Sequence, residues 1–105
     1  MGQLQYASER FVMNDRTLAH VQLVIVTKLR KNEPFVLSWV PGPVDGSGRK
    51  ALWIDRGIPL VFQFEGSRRI HINRRWVKAM VSRSFLPNGL ELMPEGDHPD
   101  TAADA

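Results

Sequence analysis

NDRTLAHVQLVIVTKLRKN, residues 14–32, decides the fold. Read as a helix, it lines up Leu18, Val21, Ile25 and Leu29 on one stripe at helical spacing. Asn14-Asp15 supplies an N-cap, because a short side-chain oxygen can bond the orphan amides of a first turn. Lys28, Arg30 and Lys31 suit the negative end of the helix dipole, and Asn32 is a residue type that terminates helices. The rival reading is a strand, since Val21 to Val26 is rich in β-branched residues. Length, cap and basic end favour the helix. Such a helix is apolar over most of its girth, which calls for deep burial against a sheet or a partner.

Working outward, Leu4 and Tyr6, then Phe11 and Met13, alternate with polar neighbours on either side of a turn near residues 7–10, a hairpin signature. Downstream, Phe35, Leu37 and Trp39 form an alternating strand bracketed by Pro34 and Pro41. A Gly- and Pro-rich loop, PGPVDGSGRK, follows at 41–50. Leu52-Trp53-Ile54 and then Leu60, Phe62 and Phe64 complete a central meander, with a turn at Asp55-Arg56-Gly57. Asn73 caps a second helix with Trp76, Val77, Met80, Val81 and Ser84 close to one face and Arg74, Arg75, Lys78 and Arg83 largely off it. Pro87-Asn88-Gly89 ends that helix, and residues 90–93 read as a last strand. The expected fold is α+β, ordered ββ-α-βββ-α-β: an antiparallel sheet with two helices on one face.

The 105 residues suit one domain, expected over 1–93, with 94–105 as an acidic, disordered tail. The absence of cysteine excludes disulfides, thiolate zinc sites and a cysteine nucleophile. No secretory leader is visible. The longest apolar run falls far short of the roughly 20 residues that span a bilayer. A cytoplasmic protein with no membrane role is the expectation.

Charge is the strongest functional signal. The body carries fourteen cations against seven acids and lies near +7, while the tail, with Glu95, Asp97, Asp100 and Asp104, lies near −4. Residues 66–90 hold Arg68, Arg69, Arg74, Arg75, Lys78 and Arg83 and no acid. Local basic density attracts polyanions. Arginine suits phosphate through its planar donor fork, and a helix first turn offers free amides beside it. The plainer reading is a solvated helix face paired with the acidic tail. Arg49 and Lys50 follow a glycine-rich stretch that resembles a phosphate cradle; the Walker spacing is absent, and a hairpin loop needing positive φ is the better explanation of the glycines. Trp39, Trp53, Phe62 and Phe64 can stack on bases if exposed, or fill the core. His20, His71 and His98 show no metal-ligand spacing, and no catalytic triad or carboxylate pair is proposed.

The runs Asn14 to Ile25, Phe35 to Trp39, GSGR at 46–49, Leu52-Trp53-Ile54, Ile58-Pro59-Leu60, Gly66-Ser67-Arg68 and Ile72 to Trp76 together resemble a family of small uncharacterised actinobacterial proteins. Its members are often labelled ATP-dependent DNA ligase, and the resemblance covers residues 1–95. It implies a role near DNA. Ligase chemistry itself needs a lysine nucleophile in a Lys-x-Asp-Gly motif. The only Asp-Gly is Asp45-Gly46, and residue 43 is proline. The expectation is therefore a non-catalytic module with no cofactor. It would bind nucleic acid or another polyanion through Arg49, Lys50, Arg68, Arg69, Arg74, Arg75 and Lys78, as an accessory to a DNA-processing enzyme such as a ligase. The alternative is a protein-interaction or homodimer module, motivated by the apolar girth of the first helix.

Overall fold

Residues 15–30 are helical in the computed structural model of the protein, which describes residues 1–40 and 48–96. The elements run β1 (Gly2–Tyr6), β2 (Glu9–Met13), α1 (Asp15–Arg30), β3 (Phe35–Trp39), β4 (Lys50–Ile54), β5 (Leu60–Gln63), α2 (Arg74–Arg83) and β6 (Leu90–Glu91). This is the α+β order read from the sequence. Asn14 Oδ1 accepts from Thr17 N at 2.7 Å and caps α1. At the other end Asn32 takes φ 57, so that its amide reaches Leu29 O and the Glu33 amide reaches Lys28 O. Those two bonds form a Schellman stop, with asparagine in the left-handed position usually held by glycine.

The strands divide between two sheets, where the sequence suggested one antiparallel sheet with a central meander. β1 lies between β2 and β5, both antiparallel to it. β3 lies between β4, antiparallel, and β6, parallel. The meander breaks between β4 and β5, where the link includes Pro59, which has no amide to give to a ladder. Its carbonyl instead accepts from Ala7 N at 3.3 Å, and β5 pairs alongside β1. The Tyr6 hydroxyl donates to the Trp53 carbonyl, joining the first sheet to the second. α2 lies between β5 and β6 in the chain and carries it back to run parallel with β3, as parallel neighbours require a crossover.

One apolar core serves both sheets and both helices. Leu4, Leu18, Val21, Leu37, Ile54, Met80 and Leu90 are sealed within it. Trp39 and Phe11 meet edge to face at 4.9 Å, and Phe62 and Phe64 are half-buried against the core. Of the four aromatic side chains weighed as base-stacking groups, only Trp53 is largely exposed, at 54%. α1 is less completely covered than its composition suggested, since Leu23 is 38% exposed. Conversely Lys28 is buried, at 2%. Its ammonium sits 3.7 Å from the Phe85 ring centre, 5.6 Å from that of Phe35 and 3.7 Å from Glu33 Oε1. Aromatic faces and one carboxylate thus offset its desolvation. No helix among the described residues is long and apolar enough to cross a membrane.

Gly89 sets the exit from α2. Its φ is +74, and a Cβ there would lie 2.5 Å from Val36 O. Both backbone strain and a collision with β3 thus follow from any side chain. Gly89→Ala should lower stability by about 2–4 kcal/mol in urea melts, whereas Gly57→Ala, whose Cβ meets nothing, should change it by less than about 0.5 kcal/mol.

Candidate nucleic-acid interface

Asn73 orients the basic helix. Its Oδ1 accepts from Arg75 N at 3.1 Å and Trp76 N at 3.2 Å, capping α2. Its own amide donates to His20 Nε2 at 2.8 Å, and its Nδ2 donates to Glu95 Oε2 at 2.8 Å. His20 Nδ1 bonds Arg16 O at 2.7 Å. A carbonyl only accepts and an amide only donates, so these partners require a neutral imidazole protonated on Nδ1. The His20 ring lies against Trp76 at 4.5 Å, and Trp76 Nε1 donates to Met93 O at 3.1 Å. With Trp76 and Met80 held inward, Arg74, Arg75, Lys78 and Ser82 turn outward. Together with Ala79 they line a shallow trough of about 550 Å³ with no acid among its described lining residues.

Arg68 and Arg69 belong to a different surface. Asp15 accepts from Glu65 N at 3.1 Å and Gly66 N at 3.0 Å, which ties the end of β5 to the start of α1. The segment then runs along α1. Arg68, Arg69 and Arg30 border a groove of about 680 Å³ floored by Leu23, Val26, Phe64, Ile70 and Ile72. Arg49 and Lys50 stand apart again. Arg49 is paired with Glu91 at 2.7 Å, and Lys50 Nζ lies 5.9 Å from the Phe11 ring centre, in a depression shared with Arg10. The α2 trough, the α1 groove and the depression at Lys50 each hold members of only one of these sets. The seven residues singled out in the sequence thus occupy three surfaces.

The first-turn amides expected to assist an anion are engaged at Arg75 and Trp76, because the Asn73 side chain already fills them. Side chains remain for that task. Gly48 has φ +114 and is exposed, as a hairpin loop needs, while residues 41–47 of the loop lie outside the described residues. No group of three or more His, Asp or Glu side chains that could hold a metal ion occurs among the described residues.

The profile of the family described as Domain of unknown function (DUF7882) matches residues 1–95. The chain belongs to this family. No curated protein and no solved structure matches it. The DUF7882 match ends on Glu95, a residue that composition groups with the tail. In the structure Glu95 is clamped: Arg16 Nε and Nη2 reach its two oxygens at 2.7 and 2.5 Å, while Arg16 Nη1 donates to His71 O at 3.0 Å. Residues 97–105 lie outside the described residues. Nothing local in the sequence marks this clamp, since Asp15 already places a carboxylate in the first turn of α1 beside Arg16.

The Arg16 hydrogen bonds, with help from the Asn73 amide, hold the Glu95 carboxyl down from 4.5 to about 2, against the opposing effect of burial. A depressed folded-state pKa stabilises the fold fully above the unfolded value and loses that contribution as pH falls through the folded one. Stability should therefore decline as pH drops from 4.5 towards 2. Glu95→Gln should cost about 1–3 kcal/mol near neutrality and flatten the decline in that window, as read from urea melts at several pH values.

Proposed function

We propose that this member of the DUF7882 family is a non-catalytic module that binds nucleic acid through the outer face of α2. The supporting observation is the exposed trough that brings Arg74, Arg75 and Lys78 together, with no acid among its described lining residues. The first turn of α2 contains no acid, so Arg74 and Arg75 lie against the positive end of the helix dipole. A phosphate docked on this face meets the positive end of the dipole and the Arg74 and Lys78 cations together, and each neutralised phosphate releases counterions. Arg68 and Arg69 extend the positive field along the neighbouring segment, while Arg49 is held by Glu91 and contributes less.

The resemblance to small actinobacterial proteins labelled ATP-dependent DNA ligase supports a place beside a DNA-processing enzyme. Pro43, standing where the ligase nucleophile would be, argues against ligation by this chain. Exposure of Phe85 and Leu86 favours a second reading, a homodimer, which light scattering across a concentration series would reveal.

Binding of labelled single-stranded DNA, duplex DNA and RNA, followed by fluorescence anisotropy, tests the nucleic-acid reading. Affinity should fall as salt rises, with a logarithmic slope of about −2 to −3 for three contacts. Arg74→Glu combined with Lys78→Glu should weaken binding by about tenfold or more. Glutamate near the start of a helix favours the dipole, so this loss would not come from melting α2. Absence of binding at low salt would end the reading.

A further inference from the structure

The groove along α1 is unused by the α2 trough and shares no lining residue with it. Its floor is mostly aliphatic, with Leu23 38% exposed and Val26 and Ile70 half-buried. Its charged lining residues are Arg30, Arg68 and Arg69, with no acid among them. At about 680 Å³ it falls within the usual size range of binding clefts.

From this combination we infer that the groove docks an acidic, leucine-rich helical segment of a partner protein. Apolar side chains repeating along one face of such a helix fill an aliphatic floor, as in other helix-in-groove complexes. Its flanking glutamates meet three arginines whose donor forks match carboxylates two bonds at a time. Nucleic acid fits less well, because bases favour aromatic planes and the groove offers only the half-buried Phe64. A second copy also fits less well. The body of each chain is strongly positive, and an identical groove would bring arginines against arginines. This inference stands apart from the nucleic-acid reading, since it uses different residues and a different partner chemistry.

The test uses the full chain and a labelled model peptide, a helix with leucines on one face and glutamates elsewhere. Two controls replace its leucines by serine or its glutamates by lysine. Anisotropy should show saturable binding of the acidic leucine peptide alone, and amide resonances of residues 23, 26, 68, 69 and 70 should shift on titration. Arg68→Glu, on an exposed segment, and Leu23→Ser should each weaken the peptide by about tenfold or more, and Arg74→Glu should leave it unchanged. Equal binding of the serine peptide would reduce the effect to charge and overturn the inference. So would failure of the acidic leucine peptide to bind. Shifts of the same resonances by anionic vesicles, by an oligonucleotide or by protein concentration alone, without a response to the peptide, would assign the groove to lipid, nucleic acid or a second copy instead.

Discussion

Asn73 is the residue through which the fold closes. It is 1% exposed, and its backbone amide, amide oxygen and amide nitrogen are all bonded. Those bonds reach α1 through His20, the amides of α2 directly and the C-terminal segment through Glu95. A buried polar group costs free energy unless it is satisfied, so this cluster holds only when all its members are in place. It joins elements distant in sequence: Arg16 and His20 from the first helix, Trp76 from the second and Met93 and Glu95 from the end. The Trp76 ring against His20 closes the apolar side of the cluster, and the Trp76 indole bond to Met93 O closes its polar side. Burial of Trp76 and Met80 already turns one face of α2 inward. The cap and the Trp76 bond reinforce the rotation that turns Arg74, Arg75 and Lys78 outward.

Much of this was legible in the residues because local chemistry decides it. Asn14 and Asn73 are caps by residue type and position, and the apolar stripes follow helical spacing. The outward basic face of α2 follows from the inward stripe. The same logic missed features set by tertiary contact. The split into two sheets depends on the partner β5 finds, and strand alternation is identical whichever neighbour it pairs with. Lys28 read simply as a last-turn cation suited to the helix dipole, yet Phe35, Phe85 and Glu33 enclose it. Nothing local marks that burial, since all three residues lie off the helix.

The candidate interface was legible as a charge count but not as a shape. Sequence adjacency groups Arg68 and Arg69 with Arg74 and Arg75, and the structure separates them. The boundary between the groups is Asn73, whose anchoring turns the chain from a segment that follows α1 into a helix packed by Trp76 and Met80. Two arginine pairs only a few residues apart therefore face different surroundings, one beside aliphatic side chains and one on a polar helix face. Arg49 and Lys50 illustrate the same point from the opposite side of the fold, since the Glu91 carboxylate that neutralises Arg49 arrives from β6.

The two positive surfaces differ in what they ask of a ligand. Arginines and a lysine along an exposed helix, without an apolar floor, reward charge density and are indifferent to shape, which suits a phosphate backbone. Arginines around a greasy groove reward a ligand that is anionic and apolar together, and a uniformly charged polymer would leave the groove floor wet. On the two readings proposed above, the ligands would use different residues. The Asn73 cluster ties α1, through His20, to the first turn of α2. A partner seated along α1 would stand at a set angle to whatever polyanion lies on α2, which is the arrangement an accessory module needs in order to present one macromolecule to another.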